Sequence, residues 1–279
     1  MIFVTGASGN VGSALVAELK HRHAPFRIGV KLSDSAAVGI DERRFDFLDR
    51  RTFQAAVEGC RAIFLMRPPA TANTKATLNV FLDVARRSGV THIVFLSVAG
   101  AGSNPLLPHH AVEQHLRICA SGWTILRPGF FAQNLGGAYR NDIRLDDRLY
   151  LPAGAGRVAF IDVRDIAEVA AKALTAPEAH AGRTYSLTGP EALSFAEIAS
   201  VLSEELGRDI RYQPASIAGY IAHLYRTGMP ALQVMVQTLL HVGLRFGQAQ
   251  SVSDELQALL GREPYTMRDY VRDHRALWL

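Results

Sequence analysis

The sequence predicts an α/β protein built on a parallel β-sheet with helices on both faces. Two observations support this prediction. Short apolar runs alternate with helical periodicities over residues 1–127, and a glycine-rich turn follows the first apolar run. Strands that alternate with helices form right-handed crossovers, and such crossovers build a parallel, doubly wound sheet. The chain has 279 residues, of which 48% are hydrophobic, enough for one large domain with a smaller lobe.

The predicted elements follow one another along the chain. Six strands are expected first, at IFVT, FRIGV, RRFDF, AIFLM, HIVFL and TILR. Helices separate them at SALVAELKHRH, RTFQAAVEG, TKATLNVFLDVARRSG and HAVEQHLRICASG, where apolar residues recur every three to four positions. After residue 127 the alternation loosens. The later strand-like runs are VAFIDV, RTYSLTG and DIRYQP, and most of the remaining sequence has helical periodicity.

The glycine-rich turn has the pattern of a dinucleotide-binding loop. Gly6, Gly9 and Gly12 are spaced GxxGxxG, directly after a predicted strand and directly before a predicted helix. The first glycine permits the tight turn, the second lets a pyrophosphate approach the backbone, and the third lets helix and strand pack closely. The free N–H groups of the helix N-terminus then face the phosphates. We therefore expect a Rossmann-type domain over residues 1–150, completed by 157–188, and a mainly helical substrate-binding lobe over 189–279.

The end of the second strand bears on cofactor choice. NAD-binding domains place an acid there to hold the ribose hydroxyls, but this sequence has Lys31, and the first acid is Asp34. A cation suits a 2′-phosphate, so NADP(H) is preferred and NAD(H) remains possible. Asp46 and Phe47, after the third strand, are expected either to border the adenine or to form an ordinary strand-end turn.

Composition excludes several other classes of protein. The net charge is +4, from 30 basic and 26 acidic residues, which is too balanced for a nucleic-acid-binding surface. The two cysteines form no CxxC pair, which favours a reducing cytoplasm and no metal site. The N-terminus has no signal-peptide pattern, and the apolar run MPALQVMVQTLLHVGLRF is too short and polar for a membrane span.

A histidine-rich segment, PHHAVEQH, allows three interpretations. A metal site is disfavoured because His110 and His115, five residues apart, diverge on a helix. His110 could act in acid–base chemistry or bind the cofactor ribose. Alternatively, His109 and His110 form the solvated start of a helix after Pro108, with His115 on the helix surface.

Several motifs extend over the whole chain. They read TGASGNVG, FDFLD, IFLMRPP, GVTHIVFLSVAGAG, HHAVEQHLRICASGWTILRPGFFAQNL, FIDVRDIAEVAAKAL, YSLTGPEALSFAEIASVLSEELGR and LLGREPYTMRDYV. Together they resemble the NmrA-like branch of the atypical short-chain dehydrogenase/reductases. Similar members include quinone reductases, azo- and triphenylmethane-dye reductases and ergot-type iminium reductases. The family also holds sensor proteins that bind NADP without turnover.

The resemblance implies roles for further residues. The expected cofactor contacts are Ser8, Gly9, Asn10 and Val11 along the phosphates, Met66, Arg67 and Pro68 after the fourth strand, Ser97 and Val98 behind the nicotinamide, and Pro128, Gly129, Phe130 and Phe131 beside it. Asn134 would lie on the substrate side. Phe130 and Phe131 could stack on a planar substrate or pack internally. Arg67 could contact the cofactor, attract an anionic substrate, or be an ordinary surface arginine.

One departure from the related enzymes concerns the catalytic acid. Standard short-chain dehydrogenases use a serine together with a tyrosine and a lysine four residues apart. Registering HHAVEQHL on the family block puts Leu106 in the tyrosine position, His110 in the lysine position and Val98, beside Ser97, in the serine position. His110 and Ser97 are therefore the candidate catalytic residues, and Tyr150 and Tyr220 are possible proton donors from the lobe.

These observations predict an NAD(P)H-dependent oxidoreductase that transfers hydride to an electron-poor conjugated acceptor of quinone, azo-dye or iminium type. The alternative is a non-catalytic NADP(H)-binding redox sensor that acts through a protein partner. The expected partner of the enzyme is a small, planar or conjugated substrate, without nucleic acid or membrane, and the chain is expected to be a monomer or homodimer.

Overall fold

The computed structural model describes residues 1–31, 39, 41–120 and 122–279. Its strands, in chain order, are β1 (Ile2–Val4), β2 (Phe26–Val30), β3 (Glu42–Arg44), β4 (Ala62–Met66), β5 (His92–Leu96), β6 (Trp123–Pro128), β7 (Arg148–Leu151), β8 (Arg157–Val158), β9 (Arg183–Leu187), β10 (Leu193–Ser194) and β11 (Arg211–Pro214). Its helices are α1 (Asn10–His21), α2 (Phe53–Val57), α3 (Leu78–Arg87), α4 (Pro108–Cys119), α5 (Arg140–Asp146), α6 (Val163–Thr175), α7 (Pro177–His180), α8 (Phe195–Leu206), α9 (Ile217–Arg226), α10 (Ala231–Leu244), α11 (Glu255–Leu260) and α12 (Met267–Asp273).

These elements form two units. The first comprises Met1–Pro128 and Val163–Leu187, and the second comprises Gly129–Asp162 and Thr188–Leu279. None of the helices in the described ranges combines the length and the apolar character that crossing a membrane requires.

The first unit contains the predicted parallel sheet. Seven strands lie in the order β3-β2-β1-β4-β5-β6-β9, and all adjacent pairs are parallel. The strand order reverses between β1 and β4, and β1 pairs with both β2 and β4. Every residue of β5 is buried, as expected for a central strand with helices on both faces. The prediction of a Rossmann-type α/β fold is confirmed.

An aromatic cluster fills one face of this sheet. Phe45 lies within 5.3 Å of Phe3, 4.7 Å of Phe47 and 4.8 Å of Phe81, measured between ring centroids. Phe47 is only 7% exposed. Its ring therefore belongs to the core, and only its backbone could border an adenine.

The second unit has its own core and two small sheets. β7 pairs with β11 in parallel, and β8 pairs with β10 antiparallel. Leu149, Leu151 and Phe160 are buried in the same cluster as Phe195 of α8.

The boundary between the units differs from the prediction. Residues 129–150 were assigned to the Rossmann domain, but they belong to the second unit, because β7 and its apolar side chains pack with β11 and α8. The run VAFIDV contributes only Val158 to a strand, and this strand pairs with β10 rather than with the main sheet. The segment that returns to the first unit starts at Val163.

Candidate functional site

The carboxyl ends of the parallel strands gather most of the predicted residues of the first unit at one edge of its sheet. Gly6 follows β1, Lys31 follows β2, Arg67 follows β4 and Ser97 follows β5. In open α/β sheets, ligands bind at this edge, where the strand order reverses. Here the reversal lies between β1 and β4.

The turn after β1 is tightly determined by its neighbours. Gly6 has a φ of 66°, and a Cβ atom there would lie 2.2 Å from Cε of Met66. A Cβ atom on Gly12 would lie 2.1 Å from the carbonyl oxygen of Gly6. The Thr5 hydroxyl, which sequence reasoning missed, donates to the Phe64 carbonyl at 3.0 Å and accepts from the Met66 N–H at 2.9 Å. It thereby ties the end of β1 to β4.

Gly9 differs from the other two glycines. Its φ of −85° and ψ of 170° suit any residue, and a Cβ atom would make only ordinary contacts of 3.5 Å with Gly6 and Met66. The protein's own packing therefore does not require glycine here. Gly9 is the N-cap of α1, and no side chain caps this helix. An open, uncapped helix start fits a pyrophosphate group.

The residues around Gly9 divide into exposed and buried ones. Ser8 and Asn10 are exposed, whereas the side chain of Val11 is buried. Val11 can therefore face a phosphate only through its backbone N–H.

At the end of β2, Lys31 is exposed and paired. Its Nζ atom lies 2.9 Å from Oδ2 of Asp46, and the side chains of the two residues are 72% and 27% exposed. Burial disfavours the charged carboxylate of Asp46, but hydrogen bonds from the Leu48 N–H and from Lys31 outweigh it and lower the pKa of Asp46. Asp34 lies outside the described residues.

A buried charged network joins β5, α4 and β6. Glu113 is fully buried, and its Oε1 atom accepts from the Ser97 hydroxyl at 2.6 Å and from Arg127 Nε at 3.0 Å. A second bond of 2.5 Å joins Arg127 Nη2 to Oε2. Burial disfavours the charged form of Glu113, but the bonds from Arg127 and Ser97 dominate and lower its pKa.

This network changes the interpretation of two residues. Glu113, on a helix that also carries exposed residues, is the buried acceptor of the network. Ser97 is 2% exposed and donates its hydroxyl to Glu113. In this arrangement the Ser97 hydroxyl has no proton to offer a substrate.

The two adjacent histidines occupy different environments. His109 is 9% exposed, and its Nε2 atom accepts from Arg67 Nε at 3.3 Å. Burial, together with the charge of Arg67, lowers the pKa of His109 to about 4. The prediction of a solvated His109 is therefore wrong. The helix periodicity puts it on the buried face with Val112, Glu113 and Leu116.

His110 is half-buried, and its Nδ1 atom lies 2.7 Å from the carbonyl oxygen of Ala101. A neutral ring donates through Nδ1–H to this carbonyl, which leaves Nε2 as an acceptor. His115 is not a free surface residue either, because its Nε2 atom lies 2.9 Å from Oδ1 of Asp83 on α3.

Arg67 is held by the loop that follows β4. Its Nη1 atom donates to the carbonyl oxygens of Pro68, Pro69 and Thr71 at 3.1, 3.0 and 2.8 Å. Burial lowers its pKa. Arg67 therefore orders the loop and His109, and it is not a free surface cation.

The predicted substrate residues lie in the second unit. Phe130 packs edge-on against Phe160 at 6.0 Å and against His241 at 6.1 Å, measured between ring centroids. Phe131 forms an isolated bridge with Ile161 and, like Asn134, is half-buried. Packing from behind thus fixes the position of Phe130.

Behind Phe130 lies a buried polar cluster that sequence reasoning missed. The Tyr139 hydroxyl donates to Nε2 of His241, whose Nδ1 atom donates to the Gln237 carbonyl at 2.6 Å. The Gln237 side chain donates to Tyr220 Oη at 3.1 Å. Burial lowers the pKa of His241 to about 4 and raises that of Tyr220. Tyr220 is 2% exposed, so it supports the core and does not face solvent as a proton donor.

The other predicted donor, Tyr150, is half-buried and stacks edge-on against His223 at 5.3 Å. Its ring also lies under the guanidinium of Arg148, 4.8 Å from it. These contacts place Tyr150 in a packed group with Asp142, whose carboxylate lies 3.1 Å from Nε2 of His223.

The sheet order and the uncapped glycine turn define a Rossmann-type dinucleotide-binding protein. Residues 1–271 match the NmrA-like family, and the chain belongs to that family.

Three relatives illustrate the similarity. An NAD(P)H azoreductase from Xenophilus azovorans is 32% identical over 288 residues, covering 99% of this chain and 98% of the azoreductase. An agroclavine dehydrogenase from Claviceps fusiformis is 32% identical over 289 residues, covering 100% of this chain and 98% of the dehydrogenase. The structure of a Citrobacter sp. triphenylmethane reductase complexed with NADP(H) superimposes with a TM-score of 0.87 at 26% identity, covering 98% of this chain and 99% of the reductase.

Proposed function

We propose that this NAD(P)H-dependent reductase delivers hydride to an electron-poor conjugated acceptor, of the quinone, azo-dye or iminium type, without a tyrosine acid. One observation carries the proposal. Residues 1–128, which include all the strand ends from β1 to β6, contain no tyrosine. Leu106, in the position expected for the tyrosine, is 90% exposed.

The missing acid restricts the chemistry. Reduction of a simple ketone develops charge on an alkoxide, which needs a strong hydrogen-bond donor or a proton in the transition state. A quinone spreads the charge over its ring, and hydride transfer neutralises an iminium ion or a cationic dye. Such acceptors require chiefly alignment and exclusion of water. The names of the azoreductase, agroclavine dehydrogenase and triphenylmethane reductase relatives support this class of substrate.

The residues at the sheet edge fit the dinucleotide. Bound NAD(P)H supplies the hydride. Gly9 leaves room for the pyrophosphate, and its own N–H donates to the Gly6 carbonyl at 3.0 Å. The backbone N–H groups proposed for the phosphates are those of Ser8, Asn10 and Val11 at the uncapped helix start. Further proposed contacts with the cofactor are Gly6, Gly12, Met66, Arg67, Pro68, Ser97, Val98, Pro128 and Phe130.

Lys31 and Asp46 together explain a preference for NADP(H) that still allows NAD(H). Lys31 Nζ is exposed and can turn from Asp46 to a 2′-phosphate. The charged Asp46 carboxylate can instead accept from a ribose hydroxyl when that phosphate is missing.

His110 is the residue that we propose to hydrogen-bond the cofactor ribose or to handle a proton. Its Nδ1–H is directed to the Ala101 carbonyl, so the ring is oriented and Nε2 is left for a ligand. His109 cannot take this role, because its Nε2 atom is engaged by Arg67.

Phe130, Phe131 and Asn134 are the proposed contacts with the acceptor. Phe130 is fixed edge-on by Phe160 and His241, which suits stacking on a planar substrate because little side-chain freedom is lost.

The test is NADPH oxidation by the full chain with quinones, azo dyes, triphenylmethane cations and cyclic iminium ions, with simple ketones as the control. We expect turnover with at least one conjugated class and none with the ketones. Ketone reduction at comparable rates would contradict the acid-free chemistry. Tight NADPH binding without turnover of any acceptor would instead favour the redox sensor.

A further inference from the structure

Within the described ranges, the first unit carries one group of three metal-ligating side chains that the proposed reductase activity does not use. Asp83 lies on α3, and His115 and Cys119 lie on α4. The ligand atoms of all three side chains lie within 4.8 Å of one another. His115, the member nearest to His110 along α4, lies about 7.5 Å further along the helix axis and about 140° around it, so the group faces away from the proposed ribose-binding histidine.

The helix geometry explains how the group forms. His115 and Cys119 are four residues apart and therefore share one face of α4. Asp83 reaches them because α3 packs against α4. Its Oδ1 atom already lies 2.9 Å from Nε2 of His115. The sequence alone does not indicate this site, because Asp83 comes from another helix than His115 and Cys119.

We propose that Asp83, His115 and Cys119 bind a divalent cation of the zinc class. Imidazole, thiolate and carboxylate are the three protein ligands of Zn²⁺. In a tetrahedral site with metal–ligand bonds of about 2.0–2.3 Å, the ligand atoms lie about 3.3–3.8 Å from one another. Side-chain rotations that shift the present ligand atoms by about 1 Å would therefore bring them to these separations. The hard cations Mg²⁺ and Ca²⁺ are excluded because they avoid thiolate and imidazole.

The burial of the group determines its coordination. All three residues are partly exposed, so a water molecule can complete the tetrahedron as a fourth ligand. Burial and the nearby Asp83 raise the pKa of Cys119, while Arg86 lowers it. Zn²⁺ therefore binds with loss of the thiol proton to solvent and formation of a metal–sulfur bond. The bound cation cross-links α3 to α4 and stabilises the first unit.

Co²⁺ titration of the full chain tests this site, because Co²⁺ bound to thiolate gives a sulfur-to-metal charge-transfer band in the near ultraviolet. We expect one Co²⁺ per chain, displaced by Zn²⁺. Cys119→Ser should abolish the band, and Asp83→Asn should weaken Zn²⁺ binding at least about tenfold, as loss of supporting groups does at known sites. Cys60→Ser is the matched control, since Cys60 is the other free thiol and is buried elsewhere.

Zn²⁺ binding is also measured by competition with a chromophoric chelator and by thermal unfolding. At a hundredfold excess over the dissociation constant, Zn²⁺ should raise the melting temperature of the parent by roughly 5 °C, and that of Cys119→Ser should stay unchanged. A charge-transfer band that survives in Cys119→Ser, or equal Zn²⁺ affinity of the parent and both ligand variants, would overturn the proposal. Both measurements are independent of reductase activity, so they separate this site from the proposed function.

Discussion

Gly6, Gly9 and Gly12 share one turn, but the packing of the protein requires glycine at only two of these positions. Gly6 has a positive φ, and a Cβ atom there would collide with Met66. A Cβ atom on Gly12 would collide with the Gly6 carbonyl oxygen. Of these three glycines, only Gly9 could carry a Cβ atom without colliding with another part of the protein. At the scale of single residues, packing therefore accounts for Gly6 and Gly12, and Gly9 is the glycine that we propose for the ligand.

Substitution at Gly9 and Gly12 should separate these roles. Gly9→Val should weaken NADPH binding by more than about tenfold because a branched side chain occupies the phosphate approach, while the free energy of unfolding changes by about 1 kcal/mol or less. Gly12→Ala should lower the free energy of unfolding by about 2 kcal/mol. Calorimetric titration with NADPH measures the affinity, and urea unfolding measures the free energy of unfolding. Unchanged NADPH affinity in Gly9→Val would remove the phosphate assignment.

Lys31 should determine the preference between the two cofactors. Lys31→Gln removes a charge-assisted bond worth roughly 1.5–3 kcal/mol, so NADPH affinity should fall about tenfold or more while NADH affinity is retained. Lys20→Gln, at an exposed position of α1, is the control. If NADPH and NADH affinities fall equally, Lys31 does not contact the 2′-phosphate.

The two adjacent histidines should respond differently to alanine. His110→Ala should lower turnover at least about tenfold and lower the melting temperature only slightly, because the half-buried ring makes a single hydrogen bond, to the Ala101 carbonyl. His109→Ala should lower the melting temperature, since it leaves a cavity and removes the partner of Arg67 Nε. Small and equal effects on turnover would show that His110 only begins the helix.

At the scale of elements, α4 is held to the sheet by charge as well as by apolar contacts. Glu113 of α4 bonds Ser97 after β5 and Arg127 of β6, and Gly102 leaves the space that the Arg127 guanidinium fills. A Cβ atom on Gly102 would lie 2.2 Å from Arg127 Nη2. The buried carboxylate thereby holds the middle of the helix that carries His110 against the sheet.

Neutralising Glu113 should destabilise the first unit. Glu113→Gln keeps the shape but leaves Arg127, whose side chain is 22% exposed, without its counter-charge. We expect a loss of roughly 2–3 kcal/mol in the free energy of unfolding, near the low end for broken buried pairs because Arg127 is partly solvated. Glu204→Gln is the control. It breaks an exposed ion pair with Arg268 and should change the free energy of unfolding by less than about 0.5 kcal/mol. Equal losses in the two variants would contradict a special role for the buried network.

At the scale of the whole molecule, the sequence predicted what depends on local periodicity. Alternating strands and helices predicted the parallel sheet, and the glycine spacing predicted the turn after β1. The assignment of residues 129–150 failed because the partner of β7 is β11, about sixty residues later in the chain.

The side chains of α4 show which signals were available and which were not. The spacing of His109 and Glu113 relative to Val112 and Leu116 already placed both on the buried face. Their hydrogen-bond partners, Arg127 and Arg67, come from β6 and from the loop after β4. Burial was therefore readable from the helix periodicity, whereas the hydrogen-bond partners depended on tertiary contacts.

Three buried neutral histidines should make the folded protein sensitive to acid. His92, His109 and His241 have an ordinary pKa of 6.5 that burial lowers to about 4. The unfolded chain therefore binds these protons below pH 6.5, while the folded chain binds them only near pH 4. Each histidine should therefore lower the free energy of unfolding by about 3 kcal/mol at pH 4 relative to pH 7, and should have no effect on it above pH 7.

The measurement is proton uptake on thermal unfolding, from calorimetry in buffers of different ionisation enthalpy. Near pH 5 the uptake should be between about two and three protons, and His109→Gln should reduce it by about one. Because the pKa of Glu113 is lowered from its ordinary value of 4.5, this carboxylate reduces the stability further only below about pH 4.5. The loss of stability that comes from the histidines therefore begins at a higher pH than the loss that comes from Glu113. Proton uptake that begins only below pH 4.5 would mean that the three imidazoles are already charged in the folded protein. A charged imidazole has no acceptor nitrogen, so the bonds from Arg67 to His109 and from Tyr139 to His241 could then not form.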